Sequence, residues 1–229
     1  AKRVPQARWA DRIDDVPKGP SIVLANEFFD ALPVRQFLCA ADGWRERVVG
    51  LDGDALIWGL SAPMSEQSGG QAAAGAWTEM SPAAETAAAA IARRLRLGPG
   101  AALMIDYGYR MGERPPGPTL QAVRGHARAD PLEAPGDADL TWLIDFDMLE
   151  GVFRTAGHKV QVTEQGAFLT ALGIGQRAEV LAGQNPDDAD ALADALERLT
   201  APSAMGALFK ALAAVSTGLP TPPGFEDQT

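Results

Sequence analysis

Cysteine is nearly absent from this chain: Cys39 stands alone among 229 residues, beside only two histidines, His126 and His158. A lone cysteine closes no intrachain disulfide, and one thiol with two imidazoles is too small a ligand set for structural zinc or an iron-sulfur cluster. A chain of this length buries roughly 70% of the surface its unfolded form exposes, so a single core suffices without such staples. Positive charge is scarce as well. Twenty Lys and Arg face thirty Asp and Glu, a net charge of -10 with a pI near 4.7, which argues against sequence-independent nucleic-acid binding, since that needs a basic face to release counterions from phosphates. No apolar run reaches the roughly 20 residues of a membrane span. Ala1 to Trp9 carry Lys2, Arg3 and Arg8 with no apolar segment behind them, so neither a signal peptide nor a membrane-inserting anchor is read. These features predict a reducing compartment, cytoplasmic in a bacterium. The common catalytic signatures are missing too: G-x-S-x-G, the Walker phosphate loop, H-E-x-x-H, and a G-x-G-x-x-G opening a helix after a strand.

What is present is punctuation and short apolar runs. With 24 Gly and 17 Pro, the chain breaks into distinct elements. Ile22 to Ala25, entered through Lys18-Gly19-Pro20, reads as a strand buried on both faces, as in a parallel sheet. From Gln36 to Leu60, Asp42-Gly43 and Asp52-Gly53-Asp54 separate apolar runs, the pattern of antiparallel hairpins. Ser61 to Ala76, rich in Gly, Ala, Ser and Gln, predicts a mobile loop. Ser81-Pro82 starts a helix that ends on Arg93-Arg94-Leu95-Arg96 before Gly98-Pro99-Gly100, with cap, first-turn proline and terminal cations in their favoured places. Ala101 to Ile105 is a second buried strand, and Thr119 to Val123 a short one. A helix follows from Asp145 or Asp147, with Phe146, Leu149, Phe153 and Ala156 on one stripe. His158 to Thr163 alternates as a third sheet strand, residues 165–183 and 185–199 read as helices, and Leu208 to Val215 is assigned as the last strand. Alternating helices and buried strands define an α/β protein. Ligands of such sheets sit beyond the carboxyl ends of the strands, where Asn26-Glu27-Phe28-Phe29-Asp30 and Asp106-Tyr107-Gly108-Tyr109 stand.

The string Ala25-Asn26-Glu27-Phe28-Phe29-Asp30-Ala31-Leu32-Pro33-Val34-Arg35-Gln36-Phe37 resembles the signature of the MidA-like family of S-adenosylmethionine-dependent methyltransferases. Further similar strings follow in order: Glu79-Met80-Ser81-Pro82, Ile105 to Tyr109, Leu120 to His126, Asp130-Pro131-Leu132, Gly136 to Thr141, Gln165 to Leu169, and Met205 to Lys210. The resemblance implies the C-terminal part of a Rossmann-like class I methyltransferase sheet, with Ile22 to Ala25 as its fourth strand, Ala101 to Ile105 its fifth, His158 to Thr163 its sixth and Leu208 to Val215 its antiparallel seventh. It implies a single methyltransferase-like domain over 1–229, incomplete at its N-terminus, with a hairpin insertion at 36–60, a helical insertion at 165–203 and a tail at 218–229. Family members carry, upstream of this region, a first strand, a glycine-rich turn that cradles the cofactor, and an acidic residue for its ribose. A fourth strand without its inner neighbour would present an apolar edge that favours self-association into a homo-oligomer.

The same resemblance implies a cofactor, S-adenosyl-L-methionine, and a protein substrate with a target arginine, linked in eukaryotic members to respiratory complex I assembly in the mitochondrial matrix. An acidic protein suits such a cationic target. By the resemblance, Glu27 stands where arginine methyltransferases keep a carboxylate for the guanidinium, which a carboxylate holds bidentately so that one nitrogen is aimed at the methyl donor. Asp30 and His126 are the other catalytic candidates, His126 as the base that takes the released proton. Asn26 and Asp106 are assigned to the cofactor, and Glu79, Tyr107 and Arg124 to the substrate. Local structure offers a competing account of several of these: Asn26, Glu27 and Asp30 as turn caps, Glu79 as a helix-start residue, Tyr107 as a core lid. Two other functions stay open at this level, a non-catalytic module binding an assembly partner through residues 36–60 and 165–199, and a nucleotide-dependent enzyme such as a dehydrogenase.

Overall fold

The computed structural model describes residues 6–64, 72–125 and 127–225. In chain order its strands are β1 (Ser21–Asn26), β2 (Arg35–Ala40), β3 (Gly43–Asp52), β4 (Ala55–Leu60), β5 (Trp77–Met80), β6 (Gly100–Tyr109), β7 (Gln121–Arg124), β8 (Ala127–Ala129), β9 (Asp139–Thr141), β10 (Ile144–Asp145), β11 (Lys159–Glu164) and β12 (Phe209–Val215). The helices are α1 (Pro82–Leu95), α2 (Phe146–Thr155), α3 (Gln165–Ala171), α4 (Ile174–Gln184), α5 (Ala189–Thr200) and α6 (Met205–Leu208). Contacts gather into two compact units, one holding the described residues up to Asn26, Glu85–Ile105 and those from Phe146 onward, the other Glu27–Ala84 and Asp106–Asp145. The chain passes from one to the other at Asn26–Glu27, within α1, within β6 and at Asp145–Phe146.

The first unit carries the sheet order β1-β6-β12-β11. β1 runs parallel to β6, from Ser21 opposite Gly100 to Asn26 opposite Ile105, and β11 runs antiparallel to β12. In the strand numbering that the resemblance implies, this order is fourth, fifth, seventh, sixth. All seven residues of β12 are buried, as befits an alanine-rich strand between two neighbours. Phe146, Leu149 and Phe153 form the buried stripe of α2, which packs on β11 and β12. His158, given no functional part by the sequence, is buried with Nε2 2.8 Å from the Ala92 carbonyl.

Two expectations are corrected here. β1 is half-buried on one face and exposed on the other rather than buried on both, since Ser21, Val23 and Ala25 are half-buried while Ile22 and Leu24 are 80% and 73% exposed; it pairs with β6 alone among the described strands, at the edge of the sheet. The helix expected over 165–183 is two helices, because Gly173 takes a left-handed φ of 82° between α3 and α4, a conformation that ends an α-helix and suits glycine. Phe225, near the chain end, lies with its ring centroid 5.0 Å from that of Phe168 on α3.

The second unit is built from antiparallel strands. β4-β3-β2-β5 form one sheet and β8-β7-β9 another, while β10 runs parallel to the last residues of β6. β3 and β4 make the hairpin announced by Asp52-Gly53-Asp54, and Gly53 takes the left-handed φ of 60° that such a turn needs. Phe37, Cys39 and Trp44 form a buried cluster joined by Met64 and Ala76. The first turn of α1 is capped by Ser81, whose Oγ accepts the Ala84 N–H at 3.1 Å and donates to the Pro33 carbonyl at 2.7 Å. Part of the loop expected over 61–76, residues 65–71, lies outside the described residues.

Candidate active site

The residues that follow β1 form a tight turn whose geometry is set by the end of β6. Glu27 takes a φ of 46°, the single left-handed non-glycine residue among those described. A side chain there costs on the order of 1–3 kcal/mol and persists only where the surroundings enforce it. The enforcing group is Asp106. Its Oδ2 accepts three successive backbone N–H groups, from Phe28 at 3.2 Å, Phe29 at 3.0 Å and Asp30 at 3.2 Å. Its Oδ1 accepts the N–H of Tyr107 at 3.0 Å. Consecutive amides turned toward one point make a concave anion site, and here the chain's own carboxylate occupies it.

The next residue of β6 fastens the turn by its side chain, since the Tyr107 hydroxyl donates to Asp30 Oδ2. Asp30 and Asp106 are 4% and 1% exposed. Asp30 Oδ1 is buried and has no hydrogen-bond partner among the described residues. Burial first, and then the charge of Asp30, push the Asp106 carboxyl up to about 7 against the opposing pull of its amide bonds. The Tyr107 hydroxyl is pushed above its ordinary value by burial and by its bond to Asp30, so it stays a protonated donor at neutral pH. Glu27 is exposed, and Phe28 is 43% exposed. The turn therefore presents an acid and an aromatic face while Asp30 and Asp106 are buried within it.

Glu79 belongs to a different constellation. Its side chain is wholly buried and its Oε1 accepts Gln36 Nε2 at 2.6 Å and the Thr119 N–H at 2.8 Å, while Oε2 accepts the Thr119 hydroxyl at 2.7 Å. Arg114 Nη2 stands 3.6 Å from Oε2. Gln36 in turn accepts Arg47 Nη1 at 3.2 Å, and the Arg47 guanidinium lies 3.6 Å from the centroid of the Trp58 ring. Desolvation lowers the Arg47 pKa.

Of the residues singled out in the sequence, Glu27, Asp30, Asp106 and Tyr107 therefore come together, with Asn26 next to them along the chain. Asp106, expected at the cofactor, sits under the turn with both oxygens bonded to the chain's own amides. Glu79, expected at the substrate, ties β5 to β2 and to Thr119. Arg124, at the end of β7, is on the surface with Nη2 3.0 Å from Glu133 Oε2. His126 lies outside the described residues. Gln36, Thr119, Arg114 and Arg47 escaped the sequence reading. Thr119 follows a proline-rich stretch with no periodicity, and nothing local marks it as the partner of an acid 40 residues away.

Residues 2–163 match a protein family described as "Putative S-adenosyl-L-methionine-dependent methyltransferase". The chain belongs to this family. Among its relatives, the Drosophila melanogaster protein arginine methyltransferase NDUFAF7 homolog, mitochondrial, is 34% identical over 221 residues, which are 91% of this chain and 50% of that protein. Human protein arginine methyltransferase NDUFAF7, mitochondrial, is 34% identical over 211 residues, 88% of this chain and 46% of that protein. A Burkholderia thailandensis crystal structure bound to S-adenosyl-homocysteine superposes with a TM-score of 0.83 at 26% identity, over 96% of this chain and 59% of that one. The chain thus spans about half the length of the curated relatives it matches, and its fold is that of a Rossmann-like methyltransferase.

Proposed function

We propose that this chain supplies the acceptor side of an S-adenosyl-L-methionine-dependent methyltransferase that modifies arginine on a protein, and that its target belongs to respiratory complex I assembly, as the family resemblance implies. The observation that carries the reading is the turn after β1: an exposed acid, Glu27, held at a fixed and unfavourable backbone angle at the carboxyl end of a sheet strand. Strain of this kind collects at sites where a side chain must point one way. Asn26, with an amide donor and acceptor, and Phe28, with an exposed ring, fit the rim of a cofactor site. The glycine-rich turn that would cradle the rest is not among the residues of this chain. The cofactor supplies a methyl group already activated on a sulfonium, so no metal is required.

Glu27 accepts two N–H groups of the substrate guanidinium, which orients the remaining nitrogen and offsets its charge. That nitrogen would take the methyl group as the sulfonium S–CH3 bond breaks and would lose one proton to water, because the Glu27 carboxylate faces the other two nitrogens. A reducing compartment, the bacterial cytoplasm or the mitochondrial matrix, suits the single buried thiol of Cys39; among the described residues no helix is long and apolar enough to cross a membrane.

The test is methyl transfer from labelled S-adenosyl-L-methionine to arginine-containing peptides by the complete protein. Glu27→Gln keeps volume and loses charge. Loss of a charge-assisted pair of about 2–5 kcal/mol lowers turnover roughly thirtyfold or more, with cofactor affinity by calorimetry nearly unchanged. Asp30→Asn should cost less. Near-normal turnover in Glu27→Gln would remove the guanidinium assignment.

A further inference from the structure

Glu27 cannot hold its own left-handed conformation, and the residue that holds it lies 76 to 78 positions along the chain from the three amides it binds. Asp106 Oδ2 gathers the amides of Phe28, Phe29 and Asp30, and those are the three peptide units that follow Glu27. If that oxygen were absent, three buried or half-buried N–H groups would face no acceptor and the turn would relax toward an ordinary right-handed or extended path. Tyr107 adds a second grip through Asp30. The ionisable groups around the Asp106 carboxyl are Asp30 on the turn and Tyr107 on its own strand. Asp30 opposes its ionisation, and the amides favour it.

We propose that Asp106 is the positioning residue of this site: it touches no substrate, but its carboxylate fixes the backbone angle from which Glu27 reaches the guanidinium. The functional half of this rests on the assignment of Glu27 above; the mechanical half does not.

Amide hydrogen exchange, resolved residue by residue by NMR in the complete protein and corrected for intrinsic rates, reads the mechanical half. In the parent protein the amides of Phe28, Phe29 and Asp30 should be protected. Asp106→Ala should lose at least tenfold protection at those three positions while β12 amides keep theirs. Asp106→Asn, whose remaining carbonyl oxygen still accepts the three amides, should keep protection within about threefold. Methylation of an arginine-containing peptide should follow the same pattern, with kcat/KM falling at least tenfold in Asp106→Ala and recovering in Asp106→Asn, cofactor affinity by calorimetry being unchanged in both. Unchanged protection in Asp106→Ala, or protection lost in Asp106→Asn, overturns the proposal; the Asn variant decides it even if the Ala variant does not fold. Normal turnover in Glu27→Gln together with a turn that opens in Asp106→Ala would instead remove the guanidinium assignment and leave the grip standing.

Discussion

At the scale of single residues, two buried acids in this protein do opposite work from what their types suggest. Asp106 and Glu79 both lie beside candidate binding surfaces, yet each is saturated by donors from the chain itself. For Glu79 the consequence is energetic. Removing its carboxylate leaves Gln36 and the Thr119 amide and hydroxyl without this acceptor and takes away the carboxylate 3.6 Å from the Arg114 guanidinium. Breaking a buried pair by deleting one partner costs about 3–5 kcal/mol, which for a chain of this size lowers Tm by roughly 10 °C. Glu79→Ala should show that loss in thermal unfolding of the complete protein, and Glu79→Gln, which still accepts the Thr119 amide, should recover much of it. A substrate-binding Glu79 would give the reverse: unchanged Tm and lower turnover.

At the scale of elements, close backbone approach decides what the helical segment after β11 tolerates. The carbonyl of Thr200, at the end of α5, lies between α3 and α6, where a Cβ built on Gly166 would stand 2.4 Å from it and one built on Gly206 only 2.1 Å. Backbone atoms cannot yield as a flexible side chain does. Gly206→Ala therefore forces the three helices apart, at a cost of at least the 1–3 kcal/mol typical of overpacking. Chemical denaturation should show a lower midpoint for Gly206→Ala, whereas Gly183→Ala, whose Cβ meets nothing within 4 Å, should be neutral or slightly stabilising. Equal midpoints would mean that α6 shifts without cost. Strand β12 depends on the same packing, because α3 and α6 both lie against it.

At the scale of the whole molecule, the exposed face of β1 sets behaviour in solution. Ile22 and Leu24 are both large, apolar and mostly exposed on a strand that pairs on one edge only among the described strands, and such an edge templates pairing with another chain. Residues 1–229 by themselves should therefore sediment as oligomers, and the double variant Ile22→Lys with Leu24→Lys should shift them toward monomer. A monomeric parent chain with a cooperative melt would count against this. The net charge of -10 works against association at low salt, so the oligomer should strengthen as salt screens it.

Glycine and proline, placed between short apolar runs, were enough by themselves to locate β1, β6, β11, β12, α1 and the β3–β4 hairpin, because those boundaries are local: a cap, a missing N–H or a left-handed turn acts within a few residues. The order of similar strings was likewise enough for the family. Tertiary structure alone decided the rest. It broke the expected helix at Gly173 and left one face of β1 bare. It also delivered Asp106 to three amides more than 70 residues away, and Glu79 to Gln36 and Thr119, 43 and 40 residues distant. A carboxylate reads the same in sequence whether it meets a ligand or the chain's own N–H groups; which one it meets depends on what folding brings within 3 Å, and that is a property of the packed chain.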